Sequence, residues 1–108
     1  MIMFFNKYQT QIQALCEAYQ VERLYAFGSV LTNAFSEKSD VDLIVSFKSK
    51  QNISLFKHYF GLKKELEKLF GRNVDLMEEK PIRNPILREE VEANKTLIYG
   101  KKGQEMAV

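Results

Sequence analysis

Phe27-Gly28-Ser29-Val30-Leu31-Thr32-Asn33-Ala34-Phe35-Ser36-Glu37-Lys38-Ser39-Asp40-Val41-Asp42-Leu43-Ile44-Val45 is the stretch from which both the fold and the chemistry of this chain can be read. It begins where a short apolar and aromatic run, Arg23-Leu24-Tyr25-Ala26-Phe27, stops at a glycine, the pattern of a buried strand ending in a turn. Ser29 is positioned to cap a short helix running to about Asn33. The segment 33–39 is polar and turn-rich, and Val41, Leu43, Ile44 and Val45 then supply the composition of a central strand, with Asp40 and Asp42 set into its beginning.

Residues two apart on a strand share a face, so Asp40 and Asp42 converge while Val41 and Leu43 turn the other way into the core. Like charges about 4 Å apart repel by roughly 1 to 4 kcal/mol at the dielectrics of water and a protein surface, so the pair needs a cation. Magnesium suits it, because that ion takes a few carboxylate oxygens, keeps waters and completes its shell with substrate phosphates. Alone, an Asp-x-Asp is more often a solvated strand end or a capping turn. Alone, Gly28-Ser29 is an ordinary turn with an N-cap. Together they mean more. A glycine after a strand lets a phosphate approach the backbone, the following helix start offers N–H groups to an anion, and Ser29 adds a hydroxyl. Ten residues separate the two pairs, so phosphate cradle and metal pair share one edge of a sheet.

Upstream, Tyr8, Ile12, Leu15, Cys16 and Tyr19 recur at helical spacing, which makes Cys16 a core residue and not a nucleophile. Downstream, Phe56, Tyr59, Phe60, Leu62, Leu66, Leu69 and Phe70 predict the core stripe of a long helix that Gly71 ends. The lysines at 57, 63, 64, 68, 101 and 102 read as solvated charges, and the aromatic stripe reads as core, not as a base-stacking platform. His58 reads as a partly exposed structural residue. Val74-Asp75-Leu76-Met77 predicts a third strand, Asn84-Pro85 the start of a helix to about Ala93, and Thr96–Tyr99 a fourth strand before a loose polar tail. Arg88 on that last helix has no direction fixed by the sequence. Alternating helices and strands predict one sheet with helices packed on it, an α/β or α+β fold.

With 108 residues there is room for one domain with one core, and none for a separate substrate-binding domain. An apolar share of 45% beside 28% charged residues excludes a disordered chain. A net charge of +2 announces no polyanionic partner. The single cysteine excludes an internal disulfide and a cysteine-rich zinc site. The opening Met1-Ile2-Met3-Phe4-Phe5 lacks a basic leader and is too short for a signal-peptide core or a membrane span, so the expected location is the cytoplasm of a microbial cell.

The stretch 27–45 resembles the signature of the DNA polymerase β-like nucleotidyltransferase superfamily: Gly-Ser, a spacer of this length, then Asp-x-Asp. That superfamily has a third carboxylate on a later strand, matched here by Asp75 in Asn73-Val74-Asp75-Leu76-Met77. The small size and the ending NPILREEVEANKTLIYG are similar to the minimal nucleotidyltransferases, which pair with HEPN-domain proteins in bacterial and archaeal toxin–antitoxin modules. The resemblance covers roughly residues 21–100 of a single 1–108 domain. It implies a polymerase β-like fold with a mixed sheet of about four strands. It also implies that Asp40, Asp42 and Asp75 are catalytic and hold Mg2+, as two ions, and that Gly28 and Ser29 bind the nucleotide. The substrate would be ATP or another nucleoside triphosphate, and AMP would pass to a tyrosine hydroxyl of a HEPN toxin with which the chain assembles. Neither a membrane nor nucleic acid as direct substrate is implied.

Many members carry Arg and Gly where this chain has Thr32 and Asn33, which bears on rate and substrate preference. The competing reading is a catalytically weak or inactive binding module that neutralises its partner by contact alone. A nucleotidyltransferase acting on a small molecule such as an aminoglycoside is a third, although such enzymes carry an extra domain.

Overall fold

Four strands, β1 (Val21–Phe27), β2 (Val41–Phe47), β3 (Val74–Glu78) and β4 (Thr96–Tyr99), form one sheet in the order β3-β2-β1-β4. The computed structural model describes residues 3–32, 35–36, 38–48, 54–79, 86, 89 and 94–100. β1 runs antiparallel to both β2 and β4. β2 and β3 are parallel, which requires a long crossover, and the helix α3 (Leu55–Phe70) supplies it. The sheet is therefore the mixed, four-stranded one expected. Two helices precede β1: a single turn, α1 (Met3–Asn6), and α2 (Gln9–Ala18).

Side-chain alternation along the strands divides the sheet into two unequal faces. On one, Val21, Leu24 and Ala26 of β1, Val41, Leu43 and Val45 of β2, and Val74 and Leu76 of β3 pack with Ile12 and Cys16 of α2 and Leu62, Leu66 and Phe70 of α3. Cys16 is fully enclosed, and burial pushes its thiol up to about 12, so it is the core residue its spacing predicted. The other face carries a small cluster of Tyr25 and Ile44, flanked by Phe27 and Leu97.

The ends of α3 follow from local chemistry. The Ser54 hydroxyl accepts the Lys57 N–H at the N-terminus, and Gly71 closes the C-terminus in the left-handed region at φ +67°, its N–H donating to the Glu67 carbonyl. The apolar stripe on this helix needs correcting. Leu62, Leu66 and Phe70 are buried as expected, but Phe56 is 72% and Phe60 51% exposed. At about 100° per residue, Phe56 and Phe60 point roughly 80° and 120° away from the line through Leu62, Leu66 and Phe70. They pack on each other instead, ring centroids 4.7 Å apart. Tyr59 takes the inward position, its hydroxyl donating to the Leu76 carbonyl of β3. His58 is half-buried between Tyr19 and Phe47, with Nδ1 2.9 Å from the Ser54 carbonyl.

The helix expected from Asn84 to about Ala93, Arg88 within it, Asn33, and the tail with Lys101 and Lys102 lie outside the described residues apart from 86 and 89. Among the described residues, no helix is long and apolar enough to cross a membrane.

Candidate active site

The register of the sheet brings the residues singled out above into one row. Phe27 at the end of β1 pairs with Asp42 on β2, and Asp42 pairs with Asp75 on β3. Strands in a sheet lie about 4.8 Å apart, so paired side chains on one face are neighbours. Asp40 precedes β2 by one residue and adds its charge from the same side. Asp40 and Asp75 are exposed, and Asp42 between them is half-buried. Burial first, then the charges of Asp75 and Asp40, raise the Asp42 carboxyl above its ordinary value, opposed by a hydrogen bond from the Ser29 backbone N–H.

Gly28 owes its identity to this row. It turns the chain out of β1 at φ +79°, a left-handed conformation that costs other residues roughly 1–2 kcal/mol. A Cβ there would also collide with Asp42 Oδ2 and lie 3.3 Å from Asp42 Cγ. A side chain at this position would have to displace the Asp42 carboxylate. Ser29 departs from expectation in one respect. The residue flanking the short 3₁₀ turn Gly28–Leu31 is Phe27, with no side-chain cap, so Ser29 lies inside the turn and caps nothing. Its N–H goes to Asp42, and its carbonyl accepts both the N–H and Oγ1 of Thr32, each at 2.9 Å. Thr32 thus closes the turn with its own backbone and side chain.

None of the ion pairs among the described residues involves Asp40, Asp42 or Asp75. Nor do any three acidic, histidine or cysteine side chains among them form a group ready to hold a metal as it stands. The two facts agree physically. Uncompensated carboxylates of which two are solvated have no reason to close on one another without a cation between them, yet Asp42 is coupled to both others. Three carboxylates with no ion-pair partner among the described residues are a hard-oxygen donor set that fits a divalent cation such as Mg2+. Two surface grooves, of about 330 and 390 Å³, lie elsewhere, one between α2 and β4 and the other between α2 and α3.

One structural partner of this row was not foreseen in the sequence. Arg72, just after α3, donates from Nη1 to the carbonyls of Ser36 (2.8 Å) and Ser39 (3.0 Å) in the loop leading to Asp40. Apart from its place after the Gly71 stop, nothing in the sequence marks it.

A family model for the polymerase beta nucleotidyltransferases matches residues 10–104. The chain is 36% identical over 85 residues to a candidate protein adenylyltransferase of Methanocaldococcus jannaschii, covering 79% of this chain and 82% of that one. Among solved structures it is similar to a candidate minimal nucleotidyltransferase, with TM-score 0.67, 31% identity and coverage of 87% of this chain and 92% of the other. A chain of the complex between tri-AMPylated Shewanella oneidensis HEPN toxin and MNT antitoxin shares the fold, with TM-score 0.61, 18% identity and coverage of 91% and 74%. The sheet, the row of carboxylates and these matches agree: the chain belongs to the polymerase beta nucleotidyltransferase family and is a nucleotidyltransferase.

Proposed function

We propose that this chain is a Mg2+-dependent protein adenylyltransferase that moves AMP from ATP to a hydroxyl on a partner protein, a HEPN-domain toxin, and so acts as its antitoxin in the cytoplasm. The observation that carries the reading is the row in which Asp42 lies between Asp75 and Asp40, against a left-handed glycine whose missing Cβ makes room for the Asp42 carboxylate. The relatives named as candidate protein adenylyltransferases support protein as the acceptor, and the fold shared with a chain of an AMPylated toxin complex supports the HEPN partner.

Asp40, Asp42 and Asp75 would hold the magnesium, as two ions, which when bound supplies charge neutralisation at the triphosphate and aligns its α-phosphate. Asp42 is kept in place by the Ser29 N–H, a hydrogen bond that favours its ionised form. The turn of Gly28 and Ser29 beside it is where the distal phosphates would lie, with the Ser29 hydroxyl as a donor. Asp75 is exposed on the edge strand β3 and would accept the proton of the incoming hydroxyl. The hydroxyl oxygen forms a bond to the α-phosphorus, the bond to the bridging oxygen breaks, and pyrophosphate leaves. In-line transfer of this kind is mostly positioning and charge compensation, which a scaffold of this size can supply.

The test is co-incubation of the chain and its partner with Mg2+ and α-labelled ATP. Label should appear on the partner and fall at least about a hundredfold in Asp42→Asn, as expected when a group that stabilises transition-state charge is removed. Equal labelling by the variant would overturn the assignment. Neutralisation by contact alone is favoured by one observation, the Ser29 N–H being taken up by Asp42 instead of left open to phosphate. It predicts that Asp42→Asn still protects cells from the partner, whereas the enzymatic reading predicts that protection is lost.

A further inference from the structure

Asp40 lies outside any regular element, yet the backbone on both sides of it is tied to a single dipeptide. On its N-terminal side, the Ser39 carbonyl accepts from Arg72 Nη1 at 3.0 Å. On its C-terminal side, the Val41 N–H donates to the Asn73 carbonyl at 3.1 Å. The same Arg72 nitrogen reaches the Ser36 carbonyl at 2.8 Å, and the Ser39 N–H closes back on the Ser36 carbonyl at 3.0 Å. The guanidinium carbon lies 4.7 Å from the ring centroid of Phe35, on the loop itself, and 5.1 Å from that of Phe4 in α1. Two residues beyond Asn73, β3 presents Asp75.

We propose that Arg72 is a positioning residue of the active site. Together with the Asn73 carbonyl it grips the backbone around Asp40 and couples the loop carrying that carboxylate to the strand carrying Asp75. The chemistry requires an arginine. Its planar, permanently charged group can direct two N–H bonds from one nitrogen to two carbonyls while its faces lie on aromatic rings, and hydrogen bonds from a charged donor are worth about twice neutral ones. A lysine offers the charge and the donors without the plane. Among the described residues of the loop, 35–36 and 38–40, the other hydrogen bonds are local turn and serine contacts, so the grip is what ties the loop to β3 and keeps Asp40 beside Asp42 when no cation is bound. The proposal rests on Asp40 being a metal ligand.

Two measurements on the full chain test it. In metal-free protein, Arg72→Met should raise amide hydrogen exchange at Ser39 and Val41 by about tenfold while the amides of Leu24, Ala26 and Leu43 stay within twofold of wild type. Arg72→Lys should fall between. In the labelled transfer assay, the Mg2+ concentration for half-maximal rate should rise about tenfold in Arg72→Met, more than the rate at saturating Mg2+ falls. Unchanged exchange at Ser39 and Val41 overturns the proposal. A rise shared equally by the amides of β1 and β2 also overturns it, because Arg72 would then be supporting the fold at large. Absence of transfer by the wild-type chain would instead count against the enzymatic reading, and the exchange result would still decide whether Arg72 grips the loop.

Discussion

The two faces of β2 do different work with the same seven residues. Val41, Leu43 and Val45 are fully buried against the helical layer, while Asp42, one residue out of phase, is half-buried among two other carboxylates on the opposite side. Because side chains alternate with period two, the buried face fixes the register and the register fixes the site: a slip of one residue would carry Asp42 into the core and Leu43 into the acidic row. One face holds the fold together, and the other carries a charge arrangement that works against it. Mutations should therefore separate stability from activity along a single strand.

The largest effect is expected on the buried face. Leu43→Ala removes a side chain with no exposed surface and should destabilise the chain by about 3 kcal/mol, read as a lower urea midpoint with unchanged slope. A loss under about 1 kcal/mol would mean that this face of β2 does not hold the fold together. Gly28→Ala probes the point where the turn meets the acidic face. The left-handed backbone should cost roughly 1–2 kcal/mol, and the new Cβ must displace the Asp42 carboxylate, so nucleotidyl transfer should fall by more than this stability loss explains. Wild-type transfer by that variant would mean that Asp42 does not need the position it holds here.

Asp42→Asn tests the opposite side, and the sign can be worked out. Folding raises the Asp42 pKa, so the folded state holds its proton more tightly than the unfolded chain does. The resulting stability is fully present below the ordinary value of 3.8 and is lost as pH rises through the raised folded value. At neutral pH without metal, the ionised carboxylate is thus a net cost. Asp42→Asn should melt a few degrees above wild type at pH 7.5 in chelator, a gain kept to about 1 kcal/mol or less by solvent screening. The gap should narrow as pH falls into the carboxylate range. An Asn variant less stable than wild type at neutral pH would contradict the electrostatic picture.

The stretch 27–45 was legible because both of its messages are local. Period-two alternation announces a strand with one apolar face, and a glycine followed by serine announces a turn. The pairing of Asp42 with Asp75 was also within reach, since each belongs to a short apolar strand and α3 between them is long enough for a parallel crossover. What escaped was long-range or degenerate. Arg72 bonds to residues 33 and 36 positions away, and no local pattern distinguishes it from any other arginine after a helix. The role of Ser29 escaped because the chain makes a 3₁₀ turn there, so the hydroxyl that would have capped a longer helix has no cap to make. On α3, too many apolar residues were available: with Leu55, Phe56, Tyr59, Phe60, Leu62, Leu66, Leu69 and Phe70, more than one stripe can be drawn, and only contact with β3 selects Tyr59 over its neighbours.

That degeneracy gives the smallest expected effect. If α3 is held by Leu62, Leu66 and Phe70, then Phe56→Ser and Phe60→Ser should each change stability by only about 0.5 kcal/mol, the range of ordinary surface substitutions. Phe70→Ala in the same helix should cost about 3 kcal/mol or more. The two exposed rings touch each other, so the double variant should fall short of the sum of the singles by no more than a few tenths of a kcal/mol. A cost of 2 kcal/mol or more for Phe60→Ser alone would mean that this ring is enclosed in the folded chain, and that the helix, unlike β2, does not divide into a working face and a free one.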